Sequence, residues 1–112
     1  MTSTDEVRRI ALGLEGVQEV DHHGRPAFRT KARIFAVIRP DGLWLCLSPE
    51  RKEFLFAAAP KIFVRFMWGK TPELIVQLAA ISKTELSGLL NEAWTAAQPK
   101  KRVSSAKNRG MR

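Results

Sequence analysis

The order of helical and strand-like segments along the chain limits the folds that it can adopt. Apolar residues recur at helical spacing near the start, in the middle and near the end, whereas the two stretches between these segments have the patterns of strands. Helices placed before, between and after groups of strands are typical of α+β domains, in which helices gather against an antiparallel sheet. We therefore predict an α+β fold with a sheet of about five strands and helices at the start, middle and end.

Capping residues mark where each predicted helix begins. Ser3 and Ser82 each stand three residues before a glutamate, which is the spacing of a capping box. Ser48 followed by Pro49 suits an N-cap and the first helical position. A glycine or a proline follows each apolar stripe and favours the end of each helix. The predicted helices are residues 4–15, 49–59 and 83–97.

Turn residues divide the strand-like stretches. Pro40-Asp41-Gly42 combines a fixed φ, a side chain that can bond to the backbone, and a glycine that accepts positive φ. Thr30-Lys31-Ala32-Arg33 is predicted as a tight connection, and Trp68-Gly69-Lys70-Thr71-Pro72 as a loop. Val17–Asp21 could add a short edge strand to the others. The other predicted strands are Ala27–Lys31, Arg33–Arg39, Leu43–Leu47, Ile62–Met67 and Leu74–Ala80.

Positive charge is concentrated at the C-terminal end of the sequence. The formal net charge is +8, of which residues 1–98 contribute +2 and residues 99–112 contribute +6. Because 112 residues suit one domain, we predict a single domain over residues 1–98 and a basic, disordered tail over residues 99–112. Such a tail either strengthens contact with polyanions in a salt-dependent way or serves as a solvated end that aids solubility.

The remaining composition narrows the class of protein. Cys46 is the only cysteine, so no intrachain disulfide forms, which suits a reducing compartment. Residues 1–6 are polar and acidic, unlike a secretory signal, and no apolar run approaches the roughly 20 residues that cross a bilayer. We expect a soluble cytoplasmic protein that does not contact membranes; its oligomeric state is open, with a monomer favoured.

An ordered series of short motifs runs along almost the whole chain. In this order and spacing the motifs resemble the MmcQ/YjbR family of small bacterial proteins over roughly residues 5–100. The resemblance implies an α+β domain with a non-enzymatic DNA-binding role, through an arrangement described as a double wing. The motifs are His23–Arg29, Ala32–Ala36, Leu47–Glu50, Trp68–Lys70, Val76–Ile81 and Leu89–Trp94.

One position departs from the pattern of this family. Relatives often carry a Gly-Trp pair before the late strand, whereas this chain has Pro72-Glu73. Pro72 removes a backbone donor and stiffens the loop. Glu73 is expected to bring a negative charge close to Lys70.

Two basic segments are the candidates for binding nucleic acid. The first holds four cations within nine positions and contains no acidic residue, and the second interleaves basic and aromatic residues around Trp68. We predict that cations of the two segments converge on one surface that meets the phosphates of double-stranded DNA with weak sequence specificity. The alternative is a solvated strand face that protects a sheet edge. The predicted contact residues are Arg25, Arg29, Lys31, Arg33, Arg65 and Lys70.

The aromatic residues of the second segment allow a different hypothesis. Alternation places Ile62, Val64, Phe66 and Trp68 together, which is the pattern of a core face, so Trp68 is predicted to be buried. The second hypothesis is a protein-interaction or small-ligand-binding module that uses exposed parts of Phe63, Met67 and the Trp68 loop.

No recognisable catalytic or metal-binding motif is present. His22 and His23 are adjacent, and neighbours on a strand point to opposite faces, so they make a poor chelating pair. Cys46, between two leucines, is interpreted as a small buried hydrophobe. We predict no catalytic residues, no cofactor and no metal. An enzyme whose site is assembled from distant segments is the third and least favoured hypothesis.

Overall fold

The computed structural model describes residues 2–99 as three helices and six strands. The predicted tail, residues 99–112, lies outside the described residues apart from Pro99. The helices are α1 (Thr4–Leu12), α2 (Pro49–Ala58) and α3 (Lys83–Ala96). The strands are β1 (Gln18–His22), β2 (Arg25–Arg29), β3 (Ile34–Arg39), β4 (Gly42–Leu45), β5 (Phe63–Trp68) and β6 (Thr71–Val76).

The six strands form one antiparallel sheet in the order β1-β2-β3-β4-β6-β5. The predicted α+β class and the placement of the helices are confirmed, with six strands where about five were predicted. β1 to β4 form an antiparallel meander, and β6 inserts between β4 and β5, which makes β1 and β5 the two edges. Within residues 2–99, no helix is long and apolar enough to cross a membrane.

The predicted caps begin the helices as expected. The Ser3 hydroxyl accepts from the Glu6 backbone N–H, and the Glu6 carboxylate accepts from the Ser3 N–H, so the capping box is complete. Ser48 and Ser82 cap α2 and α3 through their hydroxyls, which accept from the Arg51 and Glu85 N–H groups, but the reciprocal bond of the capping box predicted at Ser82 is not formed. The predicted end of α1 at residue 15 is wrong. The Leu14 N–H donates to Ala11, only three positions earlier, so the α-helical ladder stops at the Gly13 cap and the helix ends at Leu12.

The last strand begins and ends earlier than its predicted range of Leu74–Ala80. Trp68 pairs with Thr71, so Gly69 and Lys70 alone make the turn, and residues 78–80 form a 3₁₀ turn. β4 pairs only with the second half of β6, from Leu74 onward. Pro72 therefore lies where the strand has one partner, and its missing donor leaves no gap in the β4 ladder.

A bulge in β3 determines which side chains enter the core. Phe28 pairs with Ala36 and Arg29 pairs with Ile34, which leaves Phe35 as an extra residue between them. Phe35 and Ala36 are both fully buried in the core between the sheet and the helices, whereas Ile34 lines a cleft on the opposite face. The bulge thus directs neighbouring side chains of β3 to both faces of the sheet.

Thr30 fixes the turn between β2 and β3. Its side chain is buried, and its hydroxyl donates to the Ala97 carbonyl at 2.6 Å. The same oxygen accepts from the backbone N–H groups of Ala32 and Arg33 at 3.1 and 3.3 Å. The end of α3 is thereby tied to the turn that carries Lys31 and Arg33.

We expect Thr30→Val to lower the free energy of unfolding by about 1–3 kcal/mol, because it leaves the buried Ala97 carbonyl without its donor. Urea denaturation measures this change. Thr95→Val is the matched control, since the exposed Thr95 hydroxyl donates only within its own helix, to Asn91. Equal losses in the two variants would contradict the role assigned to Thr30.

Candidate functional site

A cleft of about 670 Å³ lies on the face of the sheet opposite the core. Cross-strand pairing places Ala27, Val37, Trp44 and Ile75 on this face, where they alternate with the buried leucines and valines of the core face. The cleft combines aromatic, apolar and charged side chains. It is lined by His22, His23, Arg25, Ile34, Val37, Arg39, Trp44, Phe66, Trp68 and Glu73.

The two hairpins at the edges of the sheet form opposite walls of the cleft. The β1–β2 hairpin contributes His22, His23 and Arg25, and the β5–β6 hairpin contributes Phe66, Trp68 and Glu73, while β3 and β4 form the floor. The Arg39 guanidinium lies 4.8 Å from the centroid of the Phe66 ring, although β4 and β6 separate their strands. The two long side chains thus bridge β4 and β6 above the floor of the cleft.

A tight turn brings both histidines into the cleft. His23 has a φ of +55° and Gly24 a φ of +81°, so these two residues form a left-handed hairpin turn. The ring centroids of His22 and His23 are 4.4 Å apart, and both residues line the cleft. The expectation that they point to opposite faces is wrong, because His23 lies in the turn and not in the strand. In residues 2–99 no three His, Cys, Asp or Glu side chains are grouped to hold a metal ion.

Glu73 is held at the base of the cleft by two partners. Its Oε1 accepts from the Trp44 indole N–H at 2.8 Å and lies 4.0 Å from the Lys52 ammonium. Lys52 is itself buried and donates to the Pro72 carbonyl at 2.7 Å. The charge partner of Glu73 is thus Lys52, and not Lys70 as expected from the sequence. The Pro72-Glu73 pair fixes the orientation of Trp44 in the cleft.

Arg39 is neutralised where it enters the cleft. Its Nε–H and Nη2–H donate to the two oxygens of Asp41 at 2.8 and 3.2 Å. Hydrogen bonding from Arg39 is the main cause that lowers the pKa of Asp41 below its ordinary value, and the charge of Arg25 contributes a smaller lowering. Arg25 is therefore close to Asp41, yet no carboxylate in residues 2–99 lies within 4.0 Å of it.

The six residues predicted to contact phosphates occupy different surroundings. Arg25 lines the cleft, and Lys31, Arg33 and Lys70 are exposed in turns. Arg29 donates from its Nε–H and Nη2–H to the Thr30 and Lys31 carbonyls at 2.9 and 3.2 Å, so its guanidinium holds the β2–β3 turn.

Arg65 does not join the other predicted residues. It pairs across the sheet with the buried Leu74, which places it on the helical side. Its guanidinium lies 4.6 Å from the Phe56 ring centroid and donates to Glu53 at 3.0 Å. The predicted convergence of Arg29 and Arg65 on one surface is therefore wrong, since α2 provides Arg65 with both of its partners.

The Lys and Arg side chains of the domain divide into those with a carboxylate partner and those without one. Residues 2–99 contain 13 Lys and Arg side chains, of which seven lie within 4.0 Å of a carboxylate. The other six lack such a partner among the described residues, and all of them belong to segments 25–33 and 61–70. They are Arg25, Arg29, Lys31, Arg33, Lys61 and Lys70.

Trp68 is 68% exposed, so the prediction that it is buried is wrong. Phe63 is the buried member of β5, whereas Val64 and Met67 are exposed. Alternation correctly separates the two faces of β5, but the core takes the face that contains Phe63. Of the residues named for the second hypothesis, Met67 and Trp68 are exposed and Phe63 is not.

Sequence reasoning missed several residues of the cleft. Trp44 lies between two leucines that are fully buried, and this alternation places it on the other face of the sheet. That signal was present in the sequence. Arg39 and Glu73 had no comparable signal, because their partners in the cleft, Phe66 and Trp44, lie on strands distant in the sequence.

Comparison with known proteins gave one match. A family model described as YjbR matches residues 12–96, which include all six strands together with α2 and α3. Neither the search of curated proteins nor the search of solved structures gave a match.

Proposed function

The chain belongs to the YjbR family, and from this premise we propose that it is a non-enzymatic protein that binds DNA. The proposal is based on one observation. All six Lys and Arg side chains of residues 2–99 that lack a carboxylate partner lie in the segments 25–33 and 61–70. A polyanion binds most favourably to cations that have no partner within the protein, because its binding then breaks no ion pair.

The distribution of carboxylates supports the same proposal. Seven of the 11 carboxylates in residues 2–99 take part in ion pairs, and of the other four only Asp21 belongs to a strand of the two hairpins. Asp21 accepts from the Gly24 N–H at 3.2 Å and so stabilises the β1–β2 turn. The unpaired positive charge of residues 2–99 is therefore located at the turns and ends of the two hairpins.

The proposed contact set differs from the one predicted from sequence. Arg65 is left out, because Glu53 neutralises it on the helical side of the sheet. Arg29 contributes indirectly, because its guanidinium stabilises the β2–β3 turn. Lys61 is added to the proposed contact residues. Direct phosphate contacts are assigned to Arg25, Lys31, Arg33, Lys61 and Lys70. Because the helices of residues 2–99 pack on the other side of the sheet, none of them is placed to read a groove, so sequence specificity is expected to be weak.

The salt dependence of binding tests this proposal. With about five phosphates neutralised by the folded domain, the slope of log K against log salt is expected near −4.5. Fluorescence anisotropy with a short labelled duplex, between about 50 and about 200 mM salt, measures this slope. The variant to use carries glutamine at the six basic positions of residues 99–112, so that the domain is measured without the charge of the tail.

Two results would reject the proposal. One is an absence of binding by the full chain at low salt. The other is complete loss of binding in the tail variant, which would assign all affinity to residues 99–112. Retention of a steep slope in that variant supports contact through the hairpins.

A second candidate is a small-ligand-binding module. The cleft volume of about 670 Å³ lies in the range of small-molecule pockets, and its lining is mostly apolar and aromatic. Stabilisation of the chain against heat by a planar aromatic compound, together with no affinity for DNA at low salt, would favour this candidate over the first.

A further inference from the structure

We propose that the cleft binds one unpaired nucleotide and prefers guanine, so that single-stranded DNA binds more tightly than a regular duplex. This inference rests on the proposed DNA-binding function and concerns the cleft, whereas the preceding proposal concerns the cations around it. Experiments can distinguish the two proposals, because phosphate contacts strengthen the binding of duplex and single-stranded DNA alike.

The size of the cleft favours a single base over a duplex. A volume of about 670 Å³ between two hairpins accepts a planar ring and its sugar, but a double helix is far wider than such a space. A base can reach a pocket only from a single strand or after leaving its stack, and this costs least where the base is already unpaired. The cleft therefore selects unpaired nucleotides by shape.

Trp68 is the aromatic ring available for stacking. It is 68% exposed at the rim, and the Phe66 ring holds it from the side, with centroids 6.2 Å apart at an angle of 61°. The Arg39 guanidinium already lies over Phe66. Trp44 is half-buried, with its indole N–H bonded to Glu73. A base that enters the cleft thus stacks on Trp68, as sequence-tolerant single-strand binders do on exposed aromatics.

Glu73 supplies the preference for guanine. Its Oε1 accepts from Trp44, while its Oε2 receives no hydrogen bond from residues 2–99, and the side chain is 20% exposed. An ionised carboxylate only accepts hydrogen bonds. Guanine presents two adjacent N–H donors on its Watson–Crick edge, at N1 and N2, whereas the other bases place an acceptor beside each donor. A carboxylate at this position therefore attracts guanine and repels the edge acceptors of the other bases.

The opposite wall is suited to the phosphate of the same nucleotide. Arg25 lines the cleft and has no carboxylate within 4.0 Å among the described residues. Its planar guanidinium can donate two parallel hydrogen bonds to a phosphate. The cleft thus offers a cation for the phosphate, a ring for the base and a carboxylate for the donors of the base.

Substitution of Trp68 tests the stacking step. We expect Trp68→Ala to weaken binding of a short single strand about 5- to 100-fold, the loss typical of one stacked base, and to change duplex affinity less than about twofold. Phe54→Ala is the matched control, because Phe54 is also an exposed aromatic, 60% accessible, on α2. The control should leave both affinities unchanged. Equal losses for single strand and duplex in Trp68→Ala, or no loss in either, would overturn the inference.

Substitution of Glu73 tests the choice of base. The probes are otherwise identical thymine single strands that carry guanine, adenine or cytosine at one central position. We expect the full chain to bind the guanine probe about tenfold more tightly than the others, in line with one well-placed pair of hydrogen bonds. Glu73→Gln retains an acceptor for Trp44 but replaces the second acceptor by a donor, so the preference should fall below about twofold.

The outcomes separate this inference from the proposed function. Duplex affinity that depends on salt, without any preference for single strands or for guanine, would overturn the inference and leave the proposed function standing. Absence of binding to both kinds of DNA at low salt would overturn both. A guanine preference that persists in Glu73→Gln would show that the carboxylate does not read the base.

Discussion

Gly42→Ala is expected to lower the free energy of unfolding by about 3–4 kcal/mol, which is a large part of the stability of a small domain. Gly42 begins β4 with a φ of +138°, which side chains rarely adopt. A Cβ added there would lie 2.4 Å from the Val76 carbonyl oxygen and 2.8 Å from Cγ2 of Ile75. Because β6 inserts directly beside β4, its backbone cannot move away without breaking the pairing of the two strands.

Gly69→Ala is the matched control for this prediction. Gly69 has a φ of +63° in the β5–β6 turn, and an added Cβ would meet no atom within 4 Å. Its cost is therefore conformational strain alone, about 1–2 kcal/mol. Urea denaturation of the two variants isolates the effect of the close approach. A cost at Gly42 no greater than that at Gly69 would contradict the packing of β4 against β6.

Local interactions explain why most of the fold was predictable. Ser3 and Ser48 cap helices through hydrogen bonds to residues three positions away, so the sequence contains both partners within one turn. The turn at Pro40-Asp41 was predictable for the same reason, and Gly42 takes the positive φ that its position suggested. Three helices and five strands follow from such signals, with errors of a few residues at the ends, whereas β1 corresponds to the short edge strand that the sequence only allows.

The arrangement of the site depends on contacts that a sequence pattern does not record. Alternation along β5 separates two faces but does not indicate which of them meets the helices, and in the structure Phe63 enters the core while Trp68 remains exposed. Arg65 was grouped with the other cations because nothing in its own segment identifies Glu53, twelve positions earlier, as its partner. The same limit applies to the contact of Arg39 with Phe66, whose strands are separated by two others in the sheet.

The extra residue in β3 changes which side chains of the strand face the core. Strict alternation would place Phe35 and Val37 on the same face, but Phe35 is in the core and Val37 lines the cleft. His23 is a similar case, because its left-handed turn conformation aims an apparent strand residue into the cleft. Both deviations lie at the candidate site, where regular patterns most often fail.

Neutralising the unpaired cations is expected to have the largest effect on DNA affinity. A variant with glutamine at Lys31, Arg33, Lys61 and Lys70 should bind a duplex about 100- to 1,000-fold more weakly at low salt, and the magnitude of its salt slope should fall by about 4. Each of these side chains lacks a carboxylate partner within residues 2–99, so its whole charge is available to a phosphate. Fluorescence anisotropy over a range of salt concentrations gives both quantities.

A control variant with the same change in net charge shows whether DNA affinity depends on where the cations lie or only on how many there are. It carries glutamine at four cations that pair with carboxylates elsewhere on the domain: Arg8, Arg9, Arg51 and Lys83. We expect less than about a fivefold loss of affinity, because these charges are compensated and a phosphate would compete with an existing partner. Because exposed ion pairs contribute little to folding, the control variant should remain folded, which its circular dichroism spectrum can verify. If both variants lost affinity equally, net charge alone would govern binding, and the hairpins would lose their proposed role.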